Sequence, residues 1–259
     1  MRQYLLPKDF SGNKTLALPA KESRYLIKVL RYRIGERFNG IDGQGNIWDL
    51  TLCSENTLEC KPAKDGKAQK TSDTLPSFNG PYPPIHLFQC LCKGKKDESI
   101  VRCATEMGVF SITFVQSKFC TVDLSEKNGQ ALKARNERLG SIIKEAIQQS
   151  GSPIPTRLTE KILSIPEMIE QCKGKGLGLF FHQSKLDETS LSLQLKDHPI
   201  EKPVFILIGS EGGLSDDECK LLLMGNFHPV LLKTNILRAE TAAIYALVAT
   251  QTLITERLE

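Results

Sequence analysis

Two hydrophobic rhythms divide this chain. Before residue 62, short stretches alternate apolar and polar side chains and predict strands over 3–6, 14–18, 36–41, 46–53 and 57–61. Asp42-Gly43-Gln44-Gly45 is a turn signal of the kind that closes a hairpin. Together they predict a small β-barrel. One helix is expected within it, over 22–32, with Leu26, Val29 and Leu30 on one face and Arg24, Lys28 and Arg31 on the other. From residue 85 the apolar runs become continuous, at 85–92, 109–116, 177–182, 203–209 and 229–232, as expected of strands buried on both faces of a parallel sheet. Helices should separate them. Asp97 is placed to cap one that ends at Met107-Gly108, and a helical period runs through 126–149. Ser215-Asp216-Asp217-Glu218 reads as a capping box, with Gly225 as the stop. The stretch 239–256 is apolar nearly all round, which predicts a buried helix. This second part is an α/β fold, an open sheet covered by helices.

Between the rhythms, residues 62–84 are rich in proline, glycine and charge and show no period, which marks a linker. The expected domains are 1–72 and 73–259. Composition adds little: 40% hydrophobic and 25% charged residues suit an ordinary globular protein, and a net charge of +4 permits a nucleic-acid partner without requiring one. The apolar runs fall short of the roughly 20 residues of a bilayer span, so no membrane role is expected, and the first residues lack the apolar core of a secretory signal. The expected location is cytoplasmic. Eight cysteines without CxxC spacing then read as reduced, mostly buried thiols, and no metal site is expected.

In open α/β sheets, ligands bind beyond the carboxyl ends of the strands, so the chemistry is sought in the segment after each strand. Three segments stand out. Phe181-His182 ends one strand; Ile208-Gly209-Ser210-Glu211-Gly212-Gly213 turns sharply into the capped helix; and Leu232-Lys233-Thr234-Asn235-Ile236-Leu237-Arg238 leads into the last helix, which carries Glu240 in its first turn. The glycine segment lacks both the P-loop and the dinucleotide fingerprint, which counts against ATP and against an NAD-linked dehydrogenase. Its glycines would let the backbone approach a flat group closely, or they could form a plain tight turn. His182 could be structural, and Glu240 with Arg238 could be helix-end electrostatics.

Taken as a pair, Ile208-Gly209-Ser210-Glu211-Gly212-Gly213 and Ile236-Leu237-Arg238-Ala239-Glu240-Thr241-Ala242 resemble the signatures of the RsmE family of 16S rRNA (uracil-N3)-methyltransferases. Further matches lie in order along the chain, at Val29-Leu30-Arg31, Lys93-Gly94, 104–109 and 145–151. The resemblance implies a PUA-like β-barrel followed by a SPOUT domain with a trefoil knot, in a homodimer. It implies S-adenosylmethionine as cofactor, wrapped by Phe181, His182, Ile208, Gly209, Glu211, Gly212, Gly213, Leu232, Thr234, Asn235, Ile236 and Leu237. It implies a target uridine at position 1498 in standard numbering, in 16S rRNA of the small ribosomal subunit. Arg24, Lys28 and Arg31 are the candidates for touching RNA. Ser210, Leu214 and Lys233 depart from the family pattern, as do Ser23-Arg24-Tyr25, Phe119 and Ser152.

Uridine N3 carries a proton at neutral pH that must leave before or during attack, so the site needs a base or a cation that stabilises the uridinate. Arg238 is the candidate for that charge, or for anchoring a phosphate; the alternative is a structural ion pair with Glu240 or Glu211. Glu240 is a weaker candidate for the base, since pairing with an arginine would lower its pKa. Lys233, near a sulfonium, is expected to point outward. The competing readings are a SPOUT enzyme acting on another RNA and an RNA-binding protein without catalysis.

Overall fold

The computed structural model describes residues 3–63, 83–122, 129–183, 190–232 and 234–257. Contacts gather the chain into two units, Met1–Asn79 with Ile147–Pro155, and Gly80–Ala146 with Thr156–Glu259. The domain boundary read from the sequence, at 72/73, lies outside the described residues.

The first unit contains β1 (Gln3–Leu5), β2 (Thr15–Ala17), β3 (Arg37–Ile41), β4 (Ile47–Ser54) and β5 (Thr57–Pro62), close to the expected spans. They form one sheet in the order β1-β3-β4-β5-β2, with β1 parallel to β3 and the other pairs antiparallel. The turn between β3 and β4 is built on Asp42, whose carboxylate accepts hydrogen bonds from the Gln44 and Asn46 amides, Asn46 Nδ2 and Trp48 Nε1. Tyr4, Leu26, Leu50, Leu52 and Leu58 fill the core. Residues 147–155 belong to this unit, and Gln3 Nε2 donates to the carbonyls of Ile147 and Ser152. Ser152 itself is buried in a local turn, its Oγ accepting from the Ile154 amide.

The helix expected over 22–32 does not form as one element. A short α1 (Ala20–Arg24) passes into a π-helical turn (Tyr25–Val29), where the Leu30 amide reaches back five residues to the Tyr25 carbonyl. The wider turn rotates the residues after it. Leu26 is buried as expected, but Val29 is 60% exposed. Arg31, at φ 60°, has left the helix, so Arg24, Lys28 and Arg31 are all exposed without forming the even row the periodicity predicted.

The second unit alternates strands and helices: β6 (Ile85–Cys90), α2 (Lys96–Glu106), β7 (Ser111–Gln116), α3 (Gly129–Ser150), β8 (Arg157–Leu158), β9 (Leu163–Ser164), α4 (Ile165–Cys172), β10 (Leu177–Phe181), α5 (Leu191–Lys196), β11 (Val204–Ile208), α6 (Asp216–Met224), β12 (Phe227–Val230) and α7 (Ala239–Glu256). The sheet is parallel throughout and ordered β12-β10-β11-β6-β7-β8, with β9 also on β7. Every residue of β11 is buried, and Phe88, Phe180, Leu207, Leu222 and Phe227 pack into one core. Gly178 is required by that packing, because a Cβ there would sit 2.8 Å from the Phe227 ring.

The capping box of α6 forms as read, with Ser215 and Glu218 satisfying each other's amides. A second box, Ser164 with Glu167, starts α4; its S-x-x-E spacing was legible, yet α4 was not expected. Asp97 does not cap α2. It is buried, accepts from the Cys92 amide at 3.2 Å, and pairs with Arg135 on α3 at 2.7 Å. Arg135 in turn lies 3.9 Å over the Phe114 ring. α7 is buried along one face, at Ala243, Ala246, Leu247 and Ile254, whereas Tyr245 and Val248 are exposed, so it is not enclosed all round. All eight cysteines are free, five of them buried. Among the described residues, no helix is long and apolar enough to cross a membrane.

Burial holds the Asp97 pKa above its ordinary value, against the opposing pull of Arg135. Arg135→Ala should cost about 3 kcal/mol at pH 7, since it leaves a buried carboxylate unpaired. The folded-state pKa of Asp97 would rise further, so stability is lost as pH climbs through it, and the deficit against wild type should shrink towards pH 4. Denaturant unfolding at the two pH values checks both statements.

Candidate active site

The registers of the parallel sheet bring three chain exits together. Phe181 lies opposite Ile208 on β11 and Val230 on β12, so β10, β11 and β12 stop at one edge. The segments that leave them, 181–183, 208–211 with Gly213, and 231–232 with 234–239, line a cavity of about 380 Å³, within the size range of small-molecule sites.

Most of the expected residues meet there: Phe181, His182, Ile208, Gly209, Glu211, Gly213, Leu232, Thr234, Asn235, Ile236, Leu237 and Arg238 all line the cavity. Two do not. Gly212 is not part of the lining, and a Cβ on it would meet the Phe119 side chain at 2.7 Å, so its lack of a side chain admits Phe119. Glu240 is also absent from the lining. Its Oε2 is buried, without a hydrogen-bond partner among the described residues, 4.0 Å from Lys96 Nζ. Lys96, Gln183, Ser210, Leu231, Ala239 and Ala242 line the cavity but were missed. Lys96 comes after β6, the neighbour of β11, and reading beyond that strand end as well would have found it.

The glycine segment folds into a tight loop in which the Gly213 amide donates to the Ser210 carbonyl. Gly213 has φ +73°, and a Cβ on Gly209 would lie 2.9 Å from the Gly213 carbonyl carbon, so both positions demand glycine. Gln89 Nε2 ties the loop to β6 by donating to the Gly209 carbonyl. Ser210 is 5% exposed and its Oγ has no partner among the described residues, an arrangement that leaves a buried polar group for a ligand to satisfy.

Charge is arranged around the rim. Glu211 Oε1 accepts from the Lys93 amide at 2.9 Å and from Lys96 Nζ at 2.7 Å. Burial raises the Glu211 pKa, but these donors outweigh it and leave the group below its ordinary value. Arg238 sits at the N-cap of α7 and makes no ion pair among the described residues, so the structural pairing with Glu240 or Glu211 considered from the sequence is not formed. Lys233 lies outside the described residues.

The sequence profile of the RNA methyltransferase domain family matches residues 79–251, the greater part of the chain and all of this cavity. The chain belongs to that family. This RNA methyltransferase is 28% identical to "Ribosomal RNA small subunit methyltransferase E" of Synechocystis, over 93% of its own length and 74% of the relative's. Against the Bacillus subtilis protein of the same name the identity is 26%, over 91% and 89%. A solved Ribosomal RNA small subunit methyltransferase E from Neisseria gonorrhoeae, bound to S-adenosyl methionine, superposes with a TM-score of 0.75 at 25% identity, covering 98% of both chains.

His182 closes β10 through its amide, which donates to the Val230 carbonyl. Burial lowers the pKa of its imidazole, against a weaker upward pull from Asp216 on α6. The ring is therefore neutral at pH 7. In an NMR titration its midpoint should fall below the ordinary value of 6.5, and Asp216→Asn should move it lower still. A midpoint at or above 6.5 would contradict this electrostatic picture.

Proposed function

We propose that this RNA methyltransferase methylates N3 of a uridine in 16S rRNA of the small ribosomal subunit, using S-adenosylmethionine. The observation that carries the reading is the cavity at the three strand ends, where, among the described residues, Ser210 Oγ is buried without a partner and Arg238 makes no ion pair. The relatives named for small-subunit rRNA methylation, and the related structure bound to S-adenosyl methionine, supply the reaction and the cofactor.

The residues present fit that cofactor. Backbone at Gly209 and Gly213 can approach a flat ring, and Ser210 Oγ can satisfy a polar atom. A neutral His182, with Glu211 and Glu240 nearby, suits a positively charged sulfonium. Phe181, His182, Ile208, Gly209, Ser210, Glu211 and Gly213, with Leu232, Thr234, Asn235, Ile236 and Leu237, would hold it. When bound, S-adenosylmethionine supplies an electrophilic methyl carbon whose leaving group is a neutral thioether. The protein's task is alignment, and help for the proton that N3 must lose. Arg238 meets the charge that develops on the uracil oxygens as that proton leaves.

The finer architecture accords with the same reading. The second unit is a SPOUT domain whose chain between β11 and α7 forms the trefoil knot, a reading supported by the crowding of 208–211, 231–232 and 234–239 around one cavity. The first unit is a PUA-like barrel, supported by its five-stranded sheet with one helical insertion, and it presents Arg24, Lys28 and Arg31 to RNA. Two copies pair as a homodimer; exposed Ile236, Tyr245 and Val248 are the apolar surface that a second copy would cover. The setting is the cytoplasm, where small subunits are assembled.

Incubation with labelled S-adenosylmethionine and small subunits lacking base methylation, with nucleoside mass spectrometry of the digested RNA, should yield 3-methyluridine. Another methylated nucleoside would overturn the proposed target. Arg238→Ala should lower turnover by about 100-fold, as expected when one donor to a developing oxyanion is removed, with cofactor affinity within a few-fold. Unchanged turnover would remove Arg238 from the mechanism.

A further inference from the structure

The turn that leads from β6 into α2 is fixed at several points. Asp97 anchors its far end through the Cys92 amide and Arg135, and Gly94 reverses the chain at φ +67°. The turn so fixed sends two donors to one atom: the Lys93 amide and Lys96 Nζ both reach Glu211 Oε1, in the glycine loop. Lys96 thereby lines the cavity, and with Arg238 it is one of two cations doing so among the described residues.

An ammonium carries three donors. Glu211 takes one at 2.7 Å, and Glu240 Oε2, at 4.0 Å, stands beyond hydrogen-bond reach. Donors therefore remain for a ligand. The hydrogen bond to Glu211 raises the Lys96 pKa, against a smaller opposing effect of burial, so the group stays cationic through the neutral range. The groups that face it are Glu211 from the glycine loop, Glu240 from α7 and Cys92 beyond β6, whose thiol is kept neutral by burial. Two carboxylates thus offset the lysine, so a cation can share the cavity with it.

We propose that Lys96 is a second substrate-contacting residue, whose ammonium donates to a uracil carbonyl oxygen and stabilises the uridinate while Glu211 holds it in place. The proposal rests on the reading of this site as a uridine N3-methyltransferase. N3 lies between two carbonyls, and the charge left when its proton departs spreads onto both oxygens. Two cations on the cavity wall match two oxygens. In the step served, the N3–H bond breaks and its proton passes to solvent. The N3–C bond then forms as the C–S bond breaks, and the electron pair of that bond stays on sulfur.

The test compares wild type, Lys96→Gln and Lys96→Arg with full-length protein and unmethylated small subunits. Calorimetry gives S-adenosylmethionine affinity, and single-turnover rates are measured from pH 6 to pH 10. Lys96→Gln should bind the cofactor within about threefold of wild type while losing on the order of 10²-fold in rate. Its rate should go on rising with pH where wild type has levelled, because an unassisted uridinate forms only at higher pH. Lys96→Arg keeps a cation and should recover much of the rate. A wild-type rate and pH profile in Lys96→Gln would overturn the proposal, as would a loss explained wholly by weaker cofactor binding, which would make Lys96 a support for the Glu211 loop. The same assay identifies the wild-type product. Absence of 3-methyluridine there would overturn the reading of the site itself, whereas its presence beside an unaffected Lys96→Gln would remove only the role of Lys96.

Discussion

Parallel pairing of β10 with β11 and β12 is the constraint on which the rest of the catalytic unit depends. Because Phe181, Ile208 and Val230 are in register, three chain segments leave the sheet at one edge, where their backbones are no longer committed to strand hydrogen bonds. β6 pairs with β11 in the same direction, so the turn before α2 emerges on that side and delivers Lys93 and Lys96 to Glu211. The sheet interior supplies the rigidity. Phe180, Leu207 and the whole of β11 are buried, and a one-residue slip would turn each side chain towards the opposite face, undo this packing and disperse the cavity.

Electrostatics then decides what such a cavity accepts. The rim sets Lys96 and Arg238 against Glu211 and Glu240, and His182 contributes no charge at pH 7 because burial disfavours its protonated form. A rim with cations alone would repel a sulfonium, and one with carboxylates alone would repel RNA and disfavour a uridinate. The mixed rim suits both partners of the proposed reaction. It also makes Glu211 more than a loop residue, since it orients Lys96 and offsets its charge at once.

Much of this was legible in the sequence, because continuous apolar runs and the Ser215 capping box arise from period and chemistry that act locally. The glycine loop and the approach to α7 were found by reading beyond strand ends. The features that escaped depend on contacts between distant residues. Asp97 looks like a cap, but it turns inward because Arg135, 38 positions later, meets it on α3. The packing of Phe119 against Gly212, more than 90 positions later, left no mark in the sequence. Residues 147–155 belong to the first unit, where Gln3, near the N-terminus, donates to the Ile147 and Ser152 carbonyls. The π-helical turn at Tyr25–Val29 left no mark in the hydrophobic pattern, which is why Val29 was assigned to the wrong face.

The proposed site for S-adenosylmethionine is the edge formed by β10, β11 and β12. The most direct measurement is an amide chemical-shift titration of the isotopically labelled protein with that cofactor. The account predicts the largest changes at Phe181, His182, 208–213 and 234–239, with the Lys96 amide moving too as the Glu211 contact adjusts. Saturable shifts confined to another part of the sheet, with these segments unmoved, would contradict it.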